Sequence, residues 1–240
     1  MATKKKISMS AIIAAISFIY LAFCPLVINP ILDLIMGNSF ADVIRHSISS
    51  MLSLRSIICF WSYIIITVGI FTKFDKISVA VSAALLWLGT LISFITSIIN
   101  SFKYDFYRLS FTNVLSALSY MLAYFLVFAI ALWLAVLFFK KKEIPKFLKI
   151  VAFAPVIIFA LILFFTFFGN VSNIISYLTN GAPFRYFLNT LILNLSSIFN
   201  RLVLIIGYAA VMVKLTDLKK KPKNAVEISE NIVVENVTAE

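Results

Sequence analysis

The run Asn194-Leu195-Ser196-Ser197-Ile198-Phe199-Asn200-Arg201, continued by the charge-free stretch Leu202–Val213, decides how this chain is organised. Leu202–Val213 holds 12 residues, about 18 Å of helix, against roughly 30 Å of bilayer hydrocarbon. To cross a membrane, this helix must reach back to about Asn189 or Asn194 and carry Arg201 with it. The distribution of positive charge decides whether it does. With six crossings and the N-terminus inside, the cytoplasmic segments hold 15 lysines: 4–6, 73, 76, 140–142, 146, 149, 214, 219–221 and 223. The outer segments then hold five basic residues: Arg45, Arg55, Lys103, Arg108 and Arg185. If the last helix does not cross, the five C-terminal lysines move out and the count is ten against ten. Positive charge in short loops stays cytoplasmic, which selects six spans with both termini inside.

Working outward, the composition agrees with a membrane setting. Hydrophobic residues make up 62% of the 240 and charged residues 13%, against roughly 45–50% and 25% in soluble domains. The apolar runs are long and continuous, unlike the short alternating strands of a barrel. Helices also pair their own backbone groups in lipid. The expected fold is all-α: a polytopic transmembrane bundle over residues 1–216, six spans arranged as three outer-closed hairpins. Residues 217–240 read as a cytoplasmic tail, basic through Lys219-Lys220-Lys221-Pro222-Lys223, then acidic and disordered.

Lys4-Lys5-Lys6 and the apolar run to Phe23 resemble a signal peptide. Phe23 and Pro25 around Cys24 argue against cleavage, so Ile7–Ile28 is read as span one, ending near Asn29-Pro30. Span two is expected between Arg55 and Lys73, starting a turn or more earlier with Arg55 snorkelling outward. Spans three and four fall within Ile77–Phe102 and Leu109–Phe139. Span five runs from Ile150 to Gly169-Asn170, with a kink at Pro155. Trp87 and Trp133, inside spans three and four, are assigned to helix packing. Cys24 and Cys59 read as buried soft hydrophobes with no disulfide framework.

The loops before spans two and four look alike. Ser39-Phe40-Ala41-Asp42-Val43-Ile44-Arg45-His46-Ser47 matches 101–110 with one residue inserted, and Ala182-Pro183-Phe184-Arg185 keeps the arginine. A three-fold hairpin repeat is one reading of this. Asp42 with Arg45, and Asp105 with Arg108, share a helix face and are expected to pair. Phe40–Leu52 is amphipathic and reads as a helix lying in the outer interface. Arg45, Arg108 and Arg185 together form a candidate outer-face site for an anion or lipid headgroup.

On a wheel of 100° per residue, Thr190, Asn194, Ser197, Arg201 and Tyr208 fall within about 60°. Asn189, Ser196, Asn200 and Gly207 form a second stripe, so span six is expected to pack on two sides. Arg201 is the sharpest candidate, since a cation within a span costs about 2.5–3.5 kcal/mol at the centre. Asp33 is the nearest carboxylate; Asn, Ser and Tyr side chains, carbonyls, a lipid phosphate or an anionic solute are the alternatives. The candidate binding set is Arg201, Asn194, Ser197 and Tyr208.

Catalytic chemistry finds no foothold. The one histidine, His46, is in a loop, and no Gly-rich phosphate loop, potassium-type filter or buried acid chain occurs. No enzyme activity, metal or cofactor is expected. Nucleic-acid binding is not expected either, because the net charge of +11 arises from lysines at the membrane boundary. The N-terminal lysines followed by Ala11-x-x-x-Ala15 resemble the first helix of substrate-binding subunits of energy-coupling-factor transporters, over one helix of six. That resemblance implies a partner membrane protein or ATPase complex contacted by small residues. The sequence therefore supports a small-solute transporter or membrane-embedded subunit of a transport complex. The alternative is a non-transporting assembly, immunity or lipid-interacting protein. Lys, Ile, Asn and Phe richness points to an AT-rich bacterial genome and so to a cytoplasmic membrane.

Overall fold

The structure, a computed structural model, describes residues 8–103, 111–179, 181 and 183–216. The basic N-terminal run, Tyr104, Asp105, Tyr107, Arg108 and the 217–240 tail lie outside the described residues. Among the described residues the chain is helical with no strand: α1 (Met9–Phe23), α2 (Asn29–Ile35), α3 (Phe40–Met51), α4 (Leu54–Gly69), α5 (Asp75–Lys103), α6 (Phe111–Phe139), α7 (Lys146–Val151), α8 (Ala154–Thr179) and α9 (Phe184–Leu215). A single π-helical turn, Cys24–Ile28, joins α1 to α2.

Among the described residues, five segments are long and apolar enough to cross a membrane: Met9–Ile35, Asp75–Phe102, Val114–Phe139, Lys146–Ser176 and Tyr186–Leu215. A sixth requires α3 and α4 together, which bend by 76° at their junction. The second span therefore does not extend straight back past Arg55. Ser53 caps α4 by accepting from the Ser56 N–H at 3.2 Å, which stops the helix at Leu54. Span one, in contrast, runs past Asn29-Pro30 to Ile35. Pro30 lacks an N–H and its ring crowds the carbonyl one turn back. The π turn, in which the Asn29 N–H reaches the Cys24 carbonyl, absorbs that conflict and the helix continues. Pro155 marks a real break, since α7 ends at Val151 and α8 starts at Ala154. The first closure is a folded helix, α3, whereas residue 183 leads directly into α9; these two do not repeat one another.

α1, α4, α5, α6, α8 and α9 form a ring in chain order, each packed on the one before, and α9 closes on α1. The centre is filled by aromatic side chains. Phe18 packs edge-on to Tyr208 at 5.2 Å, Phe159 stacks on Tyr208 at 5.2 Å, and Tyr124 lies 5.4 Å from Phe159. Tyr63 stacks on Phe18 from α4 at 5.8 Å. Small residues admit these rings: Ala11, Ala14 and Ala15 of α1 are all buried within the bundle. The small-residue stripe that the resemblance would offer to a partner is thus covered by the chain itself. A Cβ on Gly207 would lie 3.0 Å from Ser17 Cβ and 3.2 Å from Phe18, so α9 approaches α1 closely there. Span hydroxyls bond their own helices, as Ser17 to the Ile13 carbonyl and Thr90 to the Leu86 carbonyl. This satisfies them without water. Trp87 packs against the core, but Trp133 is 51% exposed and faces outward.

The two ends of the ring differ. At the end holding the Lys73, Lys140–Lys142 and Lys146 turns, Asp75 bonds Lys76 and Lys214, both at 3.3 Å. This straps α5 to α9 across the ring. At the opposite, hairpin end lies the cleft described below. The turn from α4 to α5 is tight enough that a Cβ on Gly69 would fall on the Ser78 side chain. Gly69→Val is expected to cost about 1–3 kcal/mol through overpacking, read as a lower melting temperature in detergent than for an exposed control such as Val68→Ala.

Candidate functional site

Span one takes its π turn beside the part of span six that carries polar residues, and the two departures from apolar helix meet. Asn200 of α9 accepts from the Tyr20 hydroxyl at 2.9 Å, and the Cys24 thiol lies 3.3 Å from the same oxygen. Asn29, at the end of the π turn, is within 3.7 Å of Cys24. π turns inside helices recur at functional sites because they turn side chains and carbonyls off the regular ladder. Here the turn sets Asn29 beside Asn200.

Two cavities meet at this waist of Pro25, Asn29 and Asn200. The polar one, about 430 Å³, is walled by Asp33, Ser47, Ser196, Ser197 and Arg201. The other, about 700 Å³, runs between α1 and α4 past Leu21, Phe60, Trp61 and Tyr63. Arg55, exposed at the start of α4, also lines this second chamber and interacts with the Cys59 thiol one turn along the helix. Cys24 and Cys59 are both free thiols and both line it, so they are cavity residues as well as packing residues.

Arg201 is 17 residues into α9 and 14 from its end (Phe184–Leu215), so it lies near mid-helix. Its Nη1 donates to Thr166 and to the Ile162 carbonyl of α8, the latter at 3.5 Å. The guanidinium lies 5.7 Å over the Tyr120 ring, a cation–π contact that stabilises a desolvated cation. Tyr120 in turn belongs to the aromatic centre, 6.2 Å from Tyr124. Arg201 therefore stands on top of the aromatic column with the polar cavity beside it. Among the described residues no carboxylate comes within ion-pair range of it.

Of the sequence candidates, Arg201 and Ser197 meet in the cavity. Tyr208 does not; it is fully buried in the aromatic centre, and its hydroxyl has no partner among the described residues. Asn194 lines neither cavity, and its Nδ2 is buried without a partner among the described residues. Arg45 is exposed on α3, Arg108 is outside the described residues, and the side chain of Arg185 is likewise outside them. The expected Asp42–Arg45 pair does not form. Asp42 instead accepts from the Ser39 hydroxyl at 2.5 Å, while Ser39 caps the Asp42 N–H at 3.2 Å. A reciprocal cap satisfies donors at the helix start, and an exposed ion pair offers less. Asn29, Tyr20 and Ser47 were not candidates; the signal for the first was Pro25 and Pro30 bracketing an asparagine inside a span.

Matched against protein-family models, curated proteins and solved structures, the chain finds no counterpart. The helices by themselves define its class: an all-α, multi-pass integral membrane protein of five or six spans.

Proposed function

We propose that this protein is the solute-binding part of a transport system, holding a small polar solute in the cleft between the π turn of the first span, α3 and α9. One observation carries the reading. A polar cavity reaches Arg201 near the middle of an apolar bundle, where a cation without a functional partner is costly. Closure of the far end by the Asp75–Lys214 strap supports a solute path open from one side at a time. The absence of an energy-coupling motif in the sequence supports dependence on a partner protein. Charge asymmetry supports placing the hairpin end outside and both termini in the cytoplasm of a bacterial cell membrane. A second reading, a non-transporting membrane protein, draws on the filled aromatic centre.

Thiol labelling separates them. With Cys24 and Cys59 replaced by Ala, Ser197→Cys is expected to react with a membrane-impermeant maleimide added to intact cells. Reaction only in inside-out vesicles would reverse the orientation. Protection in both preparations would mean a dry bundle and favour the second reading.

A further inference from the structure

We propose that the cleft takes a zwitterion, its anionic group on Arg201 and its ammonium on Asp33. This rests on the reading of the cleft as a solute site and supplies the chemistry of the occupant. Arg201 and Asp33 wall the same cavity yet do not pair with each other. Asp33 is half-buried, and its carboxylate holds no hydrogen bond or ion pair among the described residues. Arg201 is anchored through Nη1 alone, so its remaining donors have no protein partner among those residues. Two opposite charges, left unpaired in one cavity, match a molecule that carries both. A simple anion would be held by Arg201 and repelled by Asp33, and a simple cation the reverse. A zwitterion answers both and adds no net charge to an apolar bundle. Asn29, Asn200 and the serine hydroxyls complete a neutral hydrogen-bonding wall.

The second chamber says what the rest of the ligand is like. Beyond the Asn29–Asn200 waist, Leu21, Ile57, Phe60 and Trp61 form an apolar wall, with Arg55 and Ser56 also lining the chamber, so an apolar substituent extends along that wall. Ile57 and Trp61 are 42% and 56% exposed on the outside of the ring, which leaves the chamber open sideways. The same zwitterion chemistry can therefore arrive from water, as a free apolar amino acid, or from the bilayer, as an ethanolamine phospholipid.

Native mass spectrometry of the full chain in phosphatidylglycerol nanodiscs tests this with matched probes. Leucine against 4-methylpentanoate differs only in the ammonium; in the membrane arm, phosphatidylethanolamine against the phosphatidylglycerol host exchanges the ammonium for a neutral diol. Retention of leucine or phosphatidylethanolamine, at least tenfold above its ammonium-free match, is the expected result. The arm that binds identifies the source. Asp33→Asn should lower that retention about tenfold and abolish the preference, Asp33→Glu should restore part of it, and Arg201→Gln should lower every probe. Equal retention of the ammonium-free probes, or an Asp33→Asn protein that binds the zwitterion as well as wild type, overturns the proposal and leaves an anion site. Retention of no probe by a wild-type protein of normal melting behaviour overturns the proposal and the solute-binding reading together.

Discussion

Arg201→Leu is expected to reduce solute binding or uptake by roughly 10- to 100-fold while leaving membrane expression near the wild-type level. The two effects separate because different terms control them. On the folding side, the substitution removes the bonds to Thr166 and the Ile162 carbonyl, each charge-assisted and worth about 1.5–3 kcal/mol. It also removes a cation from the middle of a span, which relieves about 2.5–3.5 kcal/mol. The Ile162 contact, at 3.5 Å, is a long and weak bond, so the loss and the relief are of similar size, as when buried ionic groups are replaced by apolar ones of similar volume. On the binding side nothing cancels. A ligand anion loses its one charged partner in the polar cavity, about 1.5–3 kcal/mol, and each 1.4 kcal/mol is tenfold. Quantitative immunoblotting of membranes beside ligand retention gives both numbers. Parallel loss of the two would reduce Arg201 to a strap between α9 and α8. Thr166→Val is the companion control, since it removes that strap and keeps the charge in the cavity.

The same residues show how far sequence carries and where it stops. The reach of α9 back through Asn194 was legible because 12 apolar residues are too few for a bilayer and the basic residues fall mostly on one side only with a crossing. That Arg201 would be carried inside followed at once. Its partners did not, because Thr166 and Tyr120 lie 35 and 81 positions away on helices whose relative rotation no local pattern fixes. Tyr208 shares the angular face of Arg201 on a helical wheel but sits seven residues along α9, about 10 Å deeper at 1.5 Å per residue. A wheel gives direction and discards depth, so it grouped a cavity residue with a core residue. Asn29-Pro30 looked like the end of span one because proline ends helices. One extra residue per turn, taken up as a π turn at Cys24–Ile28, is a local solution that depends on packing against α9. The bend between α3 and α4 was half visible: the amphipathic Phe40–Leu52 stretch showed a helix across the interface, but a second span starting a turn or more before Arg55 runs straight over the cap at Ser53 that sets the corner.

The aromatic centre yields the largest expected change in stability, and the choice of substitution makes it diagnostic. Tyr208 is fully buried and touches Phe18, Tyr124 and Phe159, which belong to three different helices of the ring. Between helices in lipid there is little hydrophobic driving force, and close packing takes its place. Removing the ring in Tyr208→Ala leaves a cavity at the point where those helices meet, and comparable aromatic truncations cost about 3–5 kcal/mol. Each edge-on or stacked ring pair that the truncation breaks adds about 0.5–1.5 kcal/mol. Tyr208→Phe is the informative partner. The Tyr208 hydroxyl has no hydrogen-bond partner among the described residues, and a buried unsatisfied group costs about 1–3 kcal/mol. The Phe variant is therefore expected to melt at or above the wild-type temperature in detergent, while the Ala variant melts well below it. A Phe variant as unstable as the Ala variant would show that the hydroxyl has a partner, and with it that the centre is wet. Permeability follows from the same geometry. Tyr120 connects the ring beneath Arg201 to the aromatic column, so the column closes the floor of the cleft. In proteoliposomes, Tyr208→Ala should leak small ions that wild type retains, and Tyr208→Phe should not.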